Sequence, residues 1–334
     1  MEVAITCGGY VSKSLAVIVC TAMAILYVVI LYAPTLILRL HPPDSFQSYL
    51  IRRFICASIS SVVSLIASSF ILPIQWGNSH LSGVYGIRLD HIWQAVVFPL
   101  TLTSLMYAGT LILKLLLLLA SGQEDRENGR SLSFDSIKNA VPEFIESISS
   151  MASNISAWRN YFVAPLIEEL VFRACMIPLL LCGGFSTYTV VFLCPIFFSL
   201  AHLNHLLEYA QRSGSWLKAF MTIGFQVGYT VIIGTYASFL FVRTGHLTAP
   251  LVAHIFCNYL GLPVIMSLRT GMITVASVAG LLGFIWLLFP LTSPGLYNAT
   301  TDNCMCWLYI VVGANFLNSE KICQGLEKGL LNSM

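Results

Sequence analysis

Residues 160–182 read NYFVAPLIEELVFRACMIPLLLC, an apolar run that contains the ionisable residues Glu168, Glu169 and Arg173. A helix of about 20 apolar residues crosses the hydrocarbon core of a bilayer. Ionisable side chains inside such a segment are costly, so they mark a functional site or a pair of partners. This stretch therefore predicts a membrane span that carries a polar site.

Apolar runs of similar length recur along the whole chain. Hydrophobic residues make up 57% of the 334 residues and charged residues only 10%, whereas soluble domains carry about 25% charge. The first run is too long for the hydrophobic region of a cleaved signal peptide, so we expect it to remain as a span. The sequence predicts an all-α, polytopic transmembrane helix bundle of about eight spans with an intramembrane polar cavity. The candidate spans are residues 14–38, 54–73, 92–120, 160–182, 187–204, 219–242, 247–268 and 272–290.

A polar stretch, residues 121–159, separates the third span from the fourth. It begins with SGQEDRENGR, which is typical of an exposed loop, and residues 133–155 then show apolar positions at helical spacing. That pattern fits a helix in the membrane interface or a cytosolic helix packed on the spans. We divide the chain into N-terminal spans with this loop (1–150), a membrane core that carries the ionisable residues (151–290) and a C-terminal tail (291–334).

Charge and cysteine usage argue against several classes of partner. The net charge of +2 is scattered, and no run of Lys or Arg suggests a nucleic-acid surface. Cys304, Cys306 and Cys323 have neither the spacing nor the His partners of a zinc site. We expect no metal in the tail, no cofactor and no nucleic-acid partner.

Basic residues cluster in alternate loops, and the positive-inside rule makes those loops cytosolic. Eight crossings then place both termini on the far side of the membrane. Two N-glycosylation sequons begin at Asn154 and Asn298. This topology predicts that Asn154 is cytosolic and Asn298 is lumenal. The basic residues are Arg39, Arg52, Arg53, Arg126, Arg130, Lys138, Arg159, Arg212 and Lys218.

The two adjacent glutamates of the fourth span are expected to differ in role. Residues four apart share a helix face, so Glu169 and Arg173 are expected to form a neutralising ion pair. Glu168 points about 100° away and is left available as a general base. The alternative is that burial keeps the Glu168 carboxyl protonated.

Three more polar positions fall in other spans. His254 and Asn258 are four apart in AHIFCNY, so an imidazole and a carboxamide project together and could donate to an oxyanion. His202 follows Phe198 by four residues in FFSLAH. In both cases the alternative is a polar side chain that links two helices. His202, His205 and Glu208 could also share a face as metal ligands, although an exposed helix end explains them as well.

The sequence lacks the residues on which several kinds of membrane peptidase depend. The sequence contains neither HExxH nor GxSG, and Asp90 is the only aspartate near a span. Zinc, serine and paired-aspartate mechanisms are therefore not expected, which leaves glutamate, histidine and asparagine.

At these residues the chain resembles the type II CAAX prenyl endopeptidases, the Ras-converting enzymes, within the CAAX protease and bacteriocin-processing family. That family carries the motifs EExxxR, FxxxH and HxxxN. Here they stand at Glu168 to Arg173, Phe198 to His202 and His254 to Asn258, in the right order and on three apolar spans. The wider similarity covers residues 158–268.

The resemblance implies an endoplasmic reticulum membrane enzyme that removes the last three residues from prenylated CAAX proteins such as Ras-type GTPases. Glu168 and His202 would activate water, His254 and Asn258 would stabilise the oxyanion, and Glu169, Arg173 and Phe198 would be supporting residues. A metal-dependent version stays open. The rival hypotheses are a non-catalytic membrane scaffold of the same fold and a small-molecule transporter.

Overall fold

The computed structural model describes residues 11–39, 41, 44–72, 81–127, 154–201, 209, 214–264 and 271–297. All regular elements within these ranges are helices, so the predicted all-α class is confirmed. The main helices are α1 (Lys13–Val29, continued by Ile30–Tyr32 and Ala33–Leu36), α2 (Phe46–Ile71), α3 (Ile92–Met106), α4 (Ala108–Glu127), α5 (155–182), α6 (Thr187–Ala201), α7 (Trp216–Thr244), α8 (Thr248–Leu260) and α9 (Gly271–Leu291).

Apolar helices in the described ranges make this a membrane protein. Four of them are long and apolar enough to span a bilayer: Lys13–Thr35, Gln47–Ile71, Trp216–Thr244 and Gly271–Leu291. The pair Ile92–Met106 and Ala108–Leu117 makes a fifth candidate, although it bends by 75°. Their outward faces carry large exposed side chains such as Phe70, Phe225 and Trp286, as contact with lipid requires.

Three predicted spans differ from the helices that form. The predicted span 92–120 is broken at Tyr107, between α3 and α4. The predicted span 247–268 ends as a helix at Leu260, and Gly261 follows with φ +73°. Such a conformation suits glycine and stops a helix. The predicted span 54–73 begins earlier, at Phe46, because Ser45 caps the helix by accepting from the Ser48 backbone N–H.

Helix α5, which covers the predicted fourth span, contains two π-helical turns. They cover Arg159–Val163 and Leu170–Cys175, between α-helical pieces. Pro165 and Pro178 lie two or three residues after these turns. Proline has no N–H to donate and its ring crowds the preceding turn, so it favours such a widening. Each wide turn changes which way the following side chains point.

Helix α5 is the buried centre of the bundle. Residues 171–180 are all buried, and α5 packs against α1, α2, α6 and α8. Helix α7 packs along α6 and α8, and α9 packs against α3 and α4. The ionisable residues of α5 are therefore surrounded by other helices rather than by lipid.

The two ends of the bundle can be told apart by their contacts. At one end the Leu247 backbone N–H donates to the Gly86 carbonyl at 2.8 Å, and the His246 ring lies 6.0 Å from the Tyr297 ring. At the other end Arg53 and Arg159 line one cavity. Arg53 and Arg159 thus share an end, as the predicted topology requires.

Candidate active site

Glu169 and Arg173 form the predicted ion pair. The Arg173 Nη1 donates to Glu169 Oε1 at 3.0 Å, and the two side chains are 1% and 0% exposed. Arg173 Nη2 also donates to the Gly234 carbonyl on α7 at 3.3 Å. A buried charge of either sign needs such compensation, because breaking the pair leaves the other charge alone in an apolar medium. The pair therefore joins α5 to α7.

His254 lies between the two glutamates. Its Nδ1 is 2.7 Å from Glu169 Oε1, and its Nε2 is 3.5 Å from Glu168 Oε2. The Glu169 contact fixes the orientation of the imidazole and directs Nε2 towards Glu168. Helical spacing within α8 gave no signal for this contact, since 85 residues separate Glu169 from His254.

Glu168 is the more accessible of the two carboxylates. Its side chain is 14% exposed, whereas that of Glu169 is fully buried. The Tyr27 hydroxyl on α1 donates to Glu168 Oε1 at 3.1 Å. Sequence reasoning missed Tyr27, because a tyrosine within an apolar run carries no motif. One carboxylate oxygen is thus held by Tyr27 while the other faces His254.

Phe198 packs on the Arg173 side of the ion pair. The Arg173 guanidinium lies 4.8 Å from the centre of the Phe198 ring, a cation–π contact. The Phe172 ring meets the Phe198 ring edge-on at 5.0 Å, and the His254 ring lies 6.1 Å from the Phe198 ring. Phe198 therefore contacts the ion pair and lies near His254, and its supporting role stays a prediction.

His202 and Asn258 complete the set of predicted site residues. His202 lies outside the described residues, directly after Ala201, the last residue of α6. Asn258 lies one turn beyond His254 on α8 and is exposed. The shared face of His254 and Asn258 is therefore present, and the placement of His202 stays a prediction.

A cavity of about 120 Å³ opens beside Glu168. Its polar walls come from Tyr27, Arg53, Arg159 and Glu168, and Ala201 lies at its edge. The apolar part of the wall consists of Leu31, Phe54, Ala57, Val163, Ala164 and Ile167. A cavity with polar and apolar walls is therefore present beside Glu168, and its position within the membrane stays a prediction.

Metal binding is not tested by this arrangement. Among the described residues no three His, Cys, Asp or Glu side chains are grouped as metal ligands. His202, His205 and Glu208 lie outside those residues, so the metal-dependent alternative stays open.

Comparison with known proteins identifies the family. Residues 151–260 match the family model described as Type II CAAX prenyl endopeptidase Rce1-like. The chain is also 56% identical over 305 residues to CAAX prenyl protease 2 of Arabidopsis thaliana, which covers 91% of this chain and 97% of that protein. The chain belongs to the type II CAAX prenyl endopeptidase family. The resemblance inferred from the three motifs is confirmed.

More distant members of this endopeptidase family match over similar lengths. Human CAAX prenyl protease 2 is 34% identical over 292 residues, 84% of this chain and 82% of the human protein. The rat protein of the same name is 30% identical over 305 residues, 89% of this chain and 85% of the relative. No solved structure matches the chain significantly. The segment matched by the endopeptidase family model holds all three motifs but neither Tyr27 nor Arg53.

Proposed function

We propose that this protein is an intramembrane endopeptidase that removes the last three residues from prenylated proteins ending in CAAX, at the endoplasmic reticulum membrane. The observation that carries the proposal is the grouping of Glu168, Glu169 and His254 beside a polar cavity inside an apolar bundle. The relatives that are 56% and 34% identical to this chain are both named CAAX prenyl protease 2.

Glu168 is the general base in this proposal. Together with His202 it takes a proton from water, and the resulting hydroxide attacks the carbonyl carbon of the scissile peptide bond. His254 and Asn258 stabilise the negative charge that develops on the carbonyl oxygen. The C–N bond then breaks, and the proton held by Glu168 passes to the leaving amine. The products are the free tripeptide and a protein that ends in prenylcysteine with a new carboxylate.

The remaining site residues position the reacting groups. Glu169 holds the His254 ring through the 2.7 Å contact, so Nε2 faces the space beside Glu168. Arg173 neutralises Glu169, and Phe198 packs on Arg173. Tyr27 holds one oxygen of Glu168 and leaves the other directed towards His254 and the cavity. Preorganisation of this kind removes the cost of orienting the groups during the reaction.

The membrane location fits a lipid-modified substrate. An isoprenoid dissolves in the bilayer, whereas the peptide tail and the water come from the cytosol. The cavity next to Glu168 has apolar wall residues from α1 and α2, such as Leu31 and Phe54, as well as charged ones. Walls of both kinds suit a substrate that presents an apolar prenyl group and a polar peptide tail at this cavity.

The direct test uses purified full-length protein in detergent. A farnesylated CAAX peptide and its unprenylated counterpart are incubated with it, with and without chelator, and products are identified by mass spectrometry. We expect a released tripeptide from the farnesylated peptide only, and the same rate in chelator. Loss of activity in chelator, restored by zinc, would replace the water-and-glutamate mechanism by a metal-dependent one. No tripeptide from any prenylated peptide would favour the scaffold or transporter hypothesis.

A further inference from the structure

We propose that Arg53 and Arg159 bind the free C-terminal carboxylate of the substrate and thereby set the cut three residues from the chain end. This inference rests on the proposed peptidase function and names how that site measures its substrate. The two arginines come from different helices, α2 and α5, and line the same cavity as Glu168.

The charges in the cavity are arranged for an anionic chain end. Its polar wall consists of two guanidinium groups, one carboxylate and the Tyr27 hydroxyl. Glu168 repels a substrate carboxylate, whereas Arg53 and Arg159 attract it. A tail with its last carboxylate at the arginines therefore has its interior peptide bonds nearer Glu168.

Arginine suits this role because its planar guanidinium can donate to both carboxylate oxygens at once. Arg53 is held in place by Tyr49, one helical turn earlier. Its Nη1 donates to the Tyr49 hydroxyl at 2.6 Å, and its guanidinium lies 5.5 Å from the centre of the Tyr49 ring. The Tyr49 contact orients the Arg53 guanidinium, which lies in the wall of the cavity.

The π-helical turn at Arg159–Val163 brings Arg159 towards the cavity. Glu168 follows Arg159 by nine residues, and nine α-helical steps of about 100° would place the two side chains on opposite faces. A π turn rotates less per residue because it takes up about one extra residue. The turn therefore reduces the total rotation, and both side chains reach one cavity.

The axial distance agrees with a tail of three residues. Nine residues at the α-helical rise of about 1.5 Å would separate Arg159 from Glu168 by about 13 Å along α5, and the π turn makes this an upper bound. Three extended residues span about 10 Å, and the arginine side chain covers the remainder. A longer or shorter tail would place a different peptide bond beside Glu168, or none.

The test compares farnesylated peptides that end in a free carboxylate with the same peptides ending in a carboxamide. We expect full-length protein to prefer the acid in kcat/KM by about 10- to 100-fold, the range of one charged hydrogen bond. Arg53→Gln and Arg159→Gln should bring the acid-to-amide ratio towards one, chiefly by raising KM for the acid. Arg53→Lys and Arg159→Lys should keep an intermediate ratio, because the charge remains.

Arg52→Gln is the matched control. Arg52 is the neighbour of Arg53 on α2, but its Nη1 donates to the His41 carbonyl at 2.6 Å instead of lining the cavity. This variant should keep the full acid preference. Because the readout is a ratio measured on one preparation, partial unfolding of a variant does not mimic the effect.

Three results would overturn the inference. The first is equal cleavage of acid and amide by the unmodified protein, which leaves the peptidase function standing. The second is an unchanged ratio in the Arg53→Gln and Arg159→Gln proteins. The third is an equal loss of activity on the acid and the amide peptides in the Arg53→Gln and Arg159→Gln proteins, with a size that depends on the anionic lipid content of added vesicles. That result would mean that the arginines bind lipid phosphate. A protein that cleaves neither peptide contradicts the proposed function itself.

Discussion

Glu168 and Glu169 are neighbours in sequence but occupy very different surroundings. Glu169 is fully buried between Arg173 and His254, whereas Glu168 meets Tyr27 and the cavity. The spacing of Glu169 and Arg173 was sufficient to predict their ion pair, because helical periodicity is local. The contact of Glu169 with His254 depends on how α5 packs against α8. The spacing of residues within one helix carries no information about that packing.

The first prediction separates catalysis from folding at these residues. Glu168→Gln should lower kcat by about 10² to 10⁴, the usual contribution of a general base, while the protein stays folded. Arg173→Met should instead lower the free energy of unfolding by about 3 to 5 kcal/mol, since it leaves Glu169 buried without its counter-charge. Turnover and thermal unfolding in detergent are measured on both proteins. Similar loss of folded protein in the two variants would contradict the division of roles.

The second prediction concerns Asn258 as an oxyanion donor. Asn258→Ala should lower kcat by about 10² to 10³ with KM nearly unchanged, because the interaction exists only in the transition state. Steady-state kinetics with a farnesylated peptide and measurement of bound metal check this. A rise in KM with kcat intact would assign Asn258 to ground-state binding. Loss of a bound metal in the Asn258→Ala protein would instead identify Asn258 as a metal ligand.

Interrupted helices are the part of the fold that the sequence did not reveal. Apolar runs located α1, α2, α7 and α9, because such runs report burial in lipid. They did not reveal the break at Tyr107 or the π turns of α5, because hydropathy reports side-chain polarity and not the pattern of backbone hydrogen bonds. The prolines within α5 could have indicated its π turns. Proline alone is not a sufficient signal, because α6 also contains a proline but no π turn.

The third prediction tests how closely α9 packs on the break between α3 and α4. A methyl group at Gly280 would overlap the Leu105 carbonyl oxygen and the Ala108 Cβ. Gly280→Ala should therefore lower the free energy of unfolding by about 1 to 3 kcal/mol, the usual cost of overpacking. Gly283→Ala, one turn away, is the control, because its methyl group would meet only Leu105 side-chain carbons at 3.6 and 3.8 Å. Equal melting temperatures for the two variants would contradict this packing.

At the scale of the whole molecule, the predicted direction of the crossings stays a prediction, with which the contacts at the two ends are compatible. Arg53 and Arg159 share one end, and Gly86, Leu247 and Tyr297 share the other. Loop charges could predict this because they report which side of the membrane each loop occupies. They could not predict Tyr27, whose role depends on α1 lying against α5.

The fourth prediction follows from that topology. Tyr297 lies at the end opposite the arginines, and Asn298 is the next residue in the sequence. Asn154 begins the segment that leads to Arg159. Only Asn298 should therefore receive a glycan when the protein is made in microsomes. Glycosidase-sensitive mobility of Asn154→Gln and Asn298→Gln proteins measures this. A glycan on Asn154 would place the cavity on the lumenal side and contradict cytosolic delivery of the peptide tail.

Tyr27 on α1 has a practical consequence for how the protein can be dissected. The segment that matches the family model begins at residue 151 and contains all three motifs, so it resembles a minimal enzyme. A fragment that starts there would lack the hydroxyl that holds Glu168 and the α2 arginine at the cavity. Such a fragment would keep all three motifs but lack the groups that α1 and α2 contribute to the site. Residues 1–150, supplied as a separate chain, would restore those groups.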